Sequence, residues 1–290
     1  MVRFGPSGND ILFYKQGLKT TIQAQAWVAK LGLSAFEISF GRGIRMSAET
    51  AKKIGDEAAK HDIRISAHAP YFINLAKGWT DSETGAFAKS YGYIEKSLLL
   101  LKELGGRDLV VHIGSQGDLD RATAVENCRK NLKAVMDKLV TNPGLDFDFR
   151  ICIETMGRYP AIGNYKEICD LCGVHERVIP TLDFGHINCL MQGGLVKDGA
   201  IAEVMDYCMQ HAGKEKMQTV HIHFSPIKFG AKGELGHLNL EDSPKQFTPP
   251  FEPLAKYIKA KGLTPTIICE SADCMAQDAV TLMKIFEKAR

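Results

Sequence analysis

The chain has 290 residues, 45% hydrophobic and 24% charged, which excludes disordered, collagen-like and coiled-coil readings for most of its length. Its 36 Lys and Arg against 34 Asp and Glu leave a formal net charge of +2, too little for a protein covered in basic surface, while a local basic groove stays open. The length suits one α/β barrel or one large doubly wound domain.

Residues 1–6 hold no apolar run of the signal-peptide kind, and no segment reaches membrane-span length. The eight cysteines have no disulfide-type spacing. A reducing, cytoplasmic setting without a membrane partner is therefore expected. Short apolar or β-branched runs predict strands at residues 2–4, 35–39, 64–67, 109–113, 150–154, 178–183, 219–224 and 265–270. Helical periodicity fills residues 21–31, 48–61 (behind Ser47 as N-cap), 86–104, 121–140, 200–211 and 276–288. The lone pair Cys169 and Cys172 falls in a helical pattern and reads as a buried helix face. Residues 225–253 form the longest irregular segment, expected to be functional or mobile. Eight strands alternating with helices, with no linker between them, predict an α/β fold: a single (β/α)8 TIM barrel spanning residues 1–290 as one domain.

In such a barrel the strand C-termini form the active face. Strand three ends at His68, strand four at His112 and strand five at Glu154. Strand six ends at Asp183, followed by His186. Strand seven carries His221 and His223, and strand eight ends at Glu270. Each alone has an ordinary explanation, a hydrogen-bonded core histidine or a helix N-cap. Six consecutive strands delivering such groups to one rim is another matter, because a buried ring of imidazoles and carboxylates is costly unless cations compensate it. A multinuclear metal site follows. Imidazole and carboxylate without thiolate suit zinc, manganese or iron. His221 and His223 share strand parity and face one side at different depths. His237 lies in the irregular segment with Glu234 three residues before it. His61, His175 and His211 read as structural or exposed.

These residues resemble the endonuclease IV family of zinc-dependent abasic-site endonucleases, within the xylose-isomerase-like TIM barrels, over nearly the whole chain. The motifs are His68-Ala-Pro-Tyr71-Phe72-Ile-Asn74-Leu75, Val111-His112-Ile-Gly114-Ser115, Glu154-Thr-Met-Gly157, Asp183-Phe-Gly-His186, His221-Ile-His223 and Ile268-Cys-Glu270. The resemblance implies two or three Zn2+ ions, with Mn2+ or Fe2+ as substitutes. One would be held by His68, His112 and Glu154. A second would be held by Glu154, Asp183, His221 and Glu270. A third would be held by His186, His237 and a carboxylate, where Glu234 stands one position away from the family's Asp. His223 stands where the family has Asn and offers a substitute ligand or phosphate donor. The family's Gly-Ser-His after strand four is altered here to Gly114-Ser115-Gln116.

The implied activity is that of a base-excision DNA repair hydrolase. It cleaves the phosphodiester 5′ to an abasic site by attack of a metal-bound hydroxide and leaves a 3′-hydroxyl, with Glu154 and Glu270 as catalytic carboxylates. The implied partner is double-stranded DNA containing abasic sites, bound by a monomer. Tyr71 and Phe72 occupy the wedge position, and Arg42 and Arg45 are candidates for phosphate contact. Three zinc ions would raise the net charge to about +8, most of it in one mouth. The alternative on the same barrel is a sugar or sugar-phosphate isomerase or epimerase with a one- or two-metal site, Glu154 and Glu270 shuttling the proton. A non-catalytic metal-dependent binding protein is a third class.

Overall fold

The computed structural model describes residues 1–77 and 85–290. Its strands are β1 (Arg3–Pro6), β2 (Ala35–Ser39), β3 (Arg64–His68), β4 (Asp108–Val111), β5 (Arg150–Glu154), β6 (Val178–Asp183), β7 (His221–Phe224), β8 (Ile227–Gly230), β9 (Gly233–His237) and β10 (Thr266–Cys269). The helices are α1 (Ile11–Lys15), α2 (Thr21–Lys30), α3 (Ala48–Lys60), α4 (Ala86–Glu103), α5 (Arg121–Val140), α6 (Tyr165–Leu171), α7 (Phe184–Leu190), α8 (Ala200–His211), α9 (Lys214–Gln218), α10 (Phe251–Lys261) and α11 (Met275–Lys288). Local signals start several of them. Thr20 with Gln23 and Asn164 with Glu167 form capping boxes for α2 and α6, and Ser47 and Asp120 cap α3 and α5.

Eight parallel strands pair in the order β1-β10-β7-β6-β5-β4-β3-β2. The two ends meet again: the Ser34 N–H donates to the Phe4 carbonyl at 3.0 Å. A Cβ at Gly5 would collide with the Ala35 carbonyl, so glycine is what lets β1 approach β2. The result is the nearly closed (β/α)8 barrel expected from the strand count.

Most of the apolar core lies outside the barrel wall, where residues such as Phe36, Ile65, Leu109, Ile151, Leu182 and Ile222 meet the helices. Inside, Val110, Cys152 and Ile179 form a separate thin layer. Below that layer the Arg150 guanidinium clasps Asp108, Nε to Oδ1 at 2.6 Å and Nη2 to Oδ2 at 2.7 Å, and reaches Thr219 Oγ1 at 2.6 Å. Above it the interior is polar up to the mouth except for Ile268, the register partner of His223.

The structure departs from the sequence expectations in the last third. Residues 225–253 are not irregular throughout: β8 and β9 form an antiparallel hairpin with a bulge at Lys228/Phe229. Its short strands lack alternation, and it is held from outside, the Glu234 N–H donating to the Gly157 carbonyl at 2.9 Å. Helix α10 was not expected because Pro253 interrupts its pattern, yet proline is tolerated in a first turn. Helix α7 spans only 7 residues, too few to display a 3.6-residue period. Cys169 and Cys172 are buried free thiols, as a helix face requires. Among the described residues no helix is long and apolar enough to cross a membrane.

The floor pair generates the first prediction. Burial alone would raise the Asp108 carboxyl, but the hydrogen bonds and charge of Arg150 hold it below its ordinary value. A depressed native pKa stabilises the fold above the unfolded value of about 3.9, and that contribution disappears as pH falls through the lower native value. Asp108→Asn, which leaves Arg150 buried without its counter-ion, is expected to cost about 3–5 kcal/mol in urea unfolding at neutral pH. The variant should also lose less stability than the parent on acidification below about pH 4.

Candidate metal centre

Glu154, at the end of β5, is the centre of the mouth and is fully buried. Its two carboxylate oxygens face different partners. Oε2 lies 3.1 Å from His68 Nε2 and 2.7 Å from His112 Nε2. Oε1 lies 2.8 Å from His223 Nδ1 and 3.7 Å from His186 Nδ1. Burial would raise this carboxyl, but the charges of His223 and His112 and their hydrogen bonds hold it well below the usual range.

The histidine tautomers show what the group is built to receive. His68 Nδ1 lies 2.9 Å from the Ala69 carbonyl, which can only accept, so Nδ1 carries a hydrogen. The Nε2 lone pair of a neutral His68 then points at an ionised carboxylate. A proton or a metal ion must sit between them. Without metal it is the proton: burial would lower His68, but Glu154 pushes it up to about 9. His186 repeats the pattern, Nδ1 donating to the Thr155 carbonyl at 2.9 Å and Nε2 facing Glu234 Oε2 at 3.6 Å. Burial would lower His186 as well, but Asp183 and Glu154 raise it.

Asp183 has both of its sequence readings at once. Oδ1 accepts the His186 N–H at 2.8 Å and caps α7, while Oδ2 is buried with no hydrogen-bond partner. Burial pushes this carboxyl up, and the Glu154 and Glu270 charges add to that against the opposing charge of His186. An orphaned buried carboxylate oxygen beside other carboxylates fits a cation.

The ligand atoms gather into sets: His68, His112 and Glu154; Glu154, Asp183, His223 and Glu270; His186, Glu234 and His237; and, deeper in the barrel, Glu37, His221 and His223. Each set joins imidazole and carboxylate without thiolate and is able to hold a divalent metal. His221 is not in the set with Glu154. It lies one pleat deeper, its Nε2 3.0 Å from Glu37 Oε2, and His223 stands where His221 was expected to join Asp183 and Glu270. The third set depends on the β8–β9 hairpin, with His237 Nδ1 2.9 Å from Ser225 Oγ. Glu234 does converge on His186 and His237 despite its shifted spacing.

Sequence reasoning missed Glu37 and Arg158. The signal for Glu37 was a carboxylate in the middle of the apolar run Ala35–Ser39: parallel barrel strands are buried on both faces, so it had to be buried. Arg158 gave no sequence signal beyond its closeness to Glu154. It lines a cavity of about 530 Å³ with Ser39, His68, His112, His186 and Glu270 among others. Tyr71 and Phe72 stand on the rim, 53% and 58% exposed, with Tyr71 stacked near His112. Arg42 and Arg45 line a neighbouring depression that shares Ser39 and Tyr71 with the main cavity.

The profile described as xylose isomerase-like TIM barrel matches residues 25–285. An uncharacterized protein of Methanocaldococcus jannaschii is 29% identical over 99% of this chain and 98% of its own length. A probable endonuclease 4 of Staphylococcus carnosus is 26% identical over 58% of this chain and 54% of its own. Among solved structures, endonuclease IV from Thermus thermophilus superposes with a TM-score of 0.67 at 18% identity, covering 98% of this chain and 97% of that one. A D-psicose 3-epimerase in the presence of D-fructose superposes with a TM-score of 0.66 at 15% identity, covering 99% of both chains. At these identities the structural likenesses concern the fold alone.

Gly157 offers a selective test of the third set. A Cβ there would come within 2.6 Å of His186 Cδ2 and 3.1 Å of Glu234 Cβ. Gly157→Ala is therefore expected to lower divalent-metal content by one equivalent relative to the parent, measured by elemental analysis after gel filtration. Equal metal content in parent and variant would count against a metal held by His186, Glu234 and His237.

Proposed function

The chain belongs to the xylose isomerase-like TIM barrel family, and within that family we propose that it is a metal-dependent endonuclease of DNA repair. In this reading it cleaves the phosphodiester 5′ to an abasic site in double-stranded DNA and leaves a 3′-hydroxyl. One observation carries the proposal: Glu154 is shared between two ligand sets, and a third set of His186, Glu234 and His237 borders the same cavity. A carbonyl-polarising sugar site has use for one or two metals. Three sets around one mouth suit a substrate whose charge must be neutralised at several oxygens. The likeness in sequence to an endonuclease 4 supports the same choice.

Bound divalent ions, zinc in this reading, would neutralise the phosphodiester and acidify a water molecule. The protein's own groups do the rest. Glu154 orients both neighbouring ligand sets, and Glu270, whose side chain is 17% exposed at the mouth, accepts the proton of the attacking water. Arg158 is the one Lys or Arg lining the main cavity among the described residues; its guanidinium, 3.6 Å from Glu234 Oε2, would meet the non-bridging phosphate oxygens. Tyr71 and Phe72 fill the gap left in the base stack. Arg42 and Arg45 follow the adjoining backbone. The main cavity takes a sugar phosphate but not a duplex, so the abasic nucleotide is turned out of the helix to enter.

The second reading, a sugar epimerase, draws on Glu154, Asp183, His223 and Glu270, a set sufficient by itself for one metal and a pair of proton-transferring carboxylates.

A duplex carrying one tetrahydrofuran abasic analogue tests the choice. We expect a single nick 5′ to the analogue, a product that a polymerase extends, and loss of cleavage on chelation. Glu154→Gln should lower the rate by at least about 100-fold. Arg158→Ala should raise KM about 10- to 100-fold with metal content unchanged, the loss of a charge-assisted hydrogen bond. Metal-loaded protein that leaves the duplex intact at enzyme excess but interconverts ketose epimers would replace the nuclease reading with the second one.

A further inference from the structure

Glu37 is fully buried inside the barrel in a set with His221 and His223, and the nuclease reading gives it no part. Its Oε2 accepts the Ser66 hydroxyl at 2.7 Å and lies 3.0 Å from His221 Nε2. Its Oε1 lies 3.0 Å from His223 Nε2, and neither of these two buried atoms has a hydrogen bond. Ser66 is its register partner on β3, so the strand ladder itself sets this contact. With Oε2 occupied by two partners, Oε1 is left for His223.

The His223 ring thus lies between carboxylates, Nδ1 hydrogen-bonded to Glu154 at 2.8 Å and 3.5 Å from Glu270, Nε2 facing Glu37 with its hydrogen-bonding capacity unused. A neutral imidazole has one hydrogen and one lone pair. On the Nδ1 side Glu154, Asp183 and Glu270 converge, and Asp183 Oδ2 has no hydrogen bond. A cation belongs there, and the hydrogen belongs on the other side.

We propose that Glu37 is a positioning residue whose buried carboxylate keeps the hydrogen of His223 on Nε2, so that Nδ1 is the atom offered to the metal shared with Glu154, Asp183 and Glu270. The inference rests on the metal-dependent reading of that set but not on the identity of the substrate. The buried anion also raises the basicity of the ligand, and partners of this kind typically contribute 10- to 100-fold to metal affinity. Ser66 and His221 act one step further out by fixing the carboxylate that fixes the ring.

Zinc affinity is measured by competition with a chromophoric chelator on the full chain, alongside the thermal midpoint in excess zinc. Glu37→Gln is expected to bind zinc about 10- to 100-fold more weakly with its folded signal retained. Nitrogen-15 NMR of the zinc-loaded parent, with His223 assigned by His223→Gln, is expected to find the hydrogen on Nε2. Unchanged zinc affinity in Glu37→Gln, or a hydrogen on Nδ1 of His223, overturns the proposal. If Glu37→Gln fails to fold, the NMR measurement on the parent decides alone. Neither measurement involves nucleic acid, so a parent that binds zinc but leaves abasic DNA intact defeats the nuclease reading and leaves this one standing.

Discussion

The Glu154 carboxylate is the constraint on which the mouth depends. A fully buried anion is tolerated only when its charge is met on all sides. Here each oxygen meets different imidazoles, His68 and His112 on one and His223 on the other. The sheet order explains the convergence. β5 is flanked by β4 and β6, with β3 and β7 one strand further out, and these strands or the residues just after them supply the groups around Glu154. Strand alternation does the aiming: register pairs Glu154 with Thr181 and Asp183 with His223, so the ligands rise in steps around the barrel. A closed barrel is what brings residues so far apart in sequence to one carboxylate.

This arrangement divides the interior. Val110, Cys152 and Ile179 separate the Asp108–Arg150 pair below from Glu37 and the ligand sets above. So thin an apolar layer adds little hydrophobic burial inside the wall. The stability of the fold rests on the outer core between strands and helices, which leaves the barrel interior free to hold charges. The two buried ionic regions differ in kind. Asp108 and Arg150 are complementary and satisfy one another, whereas the mouth holds an excess of acceptors, including Asp183 Oδ2, which has no hydrogen bond. The first is complete within the protein, and the second calls for positive charge from outside it.

Much of this was legible in the sequence, for identifiable reasons. Strand-terminal His68, His112, Glu154, Asp183 and Glu270 stand out because a polar residue after an apolar run marks a strand end, and barrel topology sends those ends to one face. Depth along a strand is another matter. His221 and His223 have the same parity, and only the register against β6 and β10 puts His223 level with Asp183 and leaves His221 against Glu37. Glu37 escaped notice because a strand-interior carboxylate looks like a solvent-facing one unless both faces of the strand are already known to be covered. The β8–β9 hairpin escaped because what holds it is tertiary: Gly233 and Glu234 dock on the segment after β5, with no periodic pattern of their own.

That last contact also orders the ligand sets by rigidity. His68, Glu154, Asp183 and His223 sit in barrel strands and His112 directly follows one, with neighbours that fix each ring or carboxylate. Glu234 and His237 come instead from a hairpin outside the βα repeat, held at Gly233, where the Gly157 backbone approaches too closely for a side chain, and at Gly157, where a Cβ would press on the His186 ring. The carboxylate-centred ligand sets are built by the barrel strands themselves. The third set exists only while the hairpin docks. It is also where the ligand spacing differs from the endonuclease IV pattern, Glu234 replacing an Asp one position away. In the nuclease reading, the neutralising of a charged substrate would therefore fall to the part of the mouth that the barrel does not itself enforce.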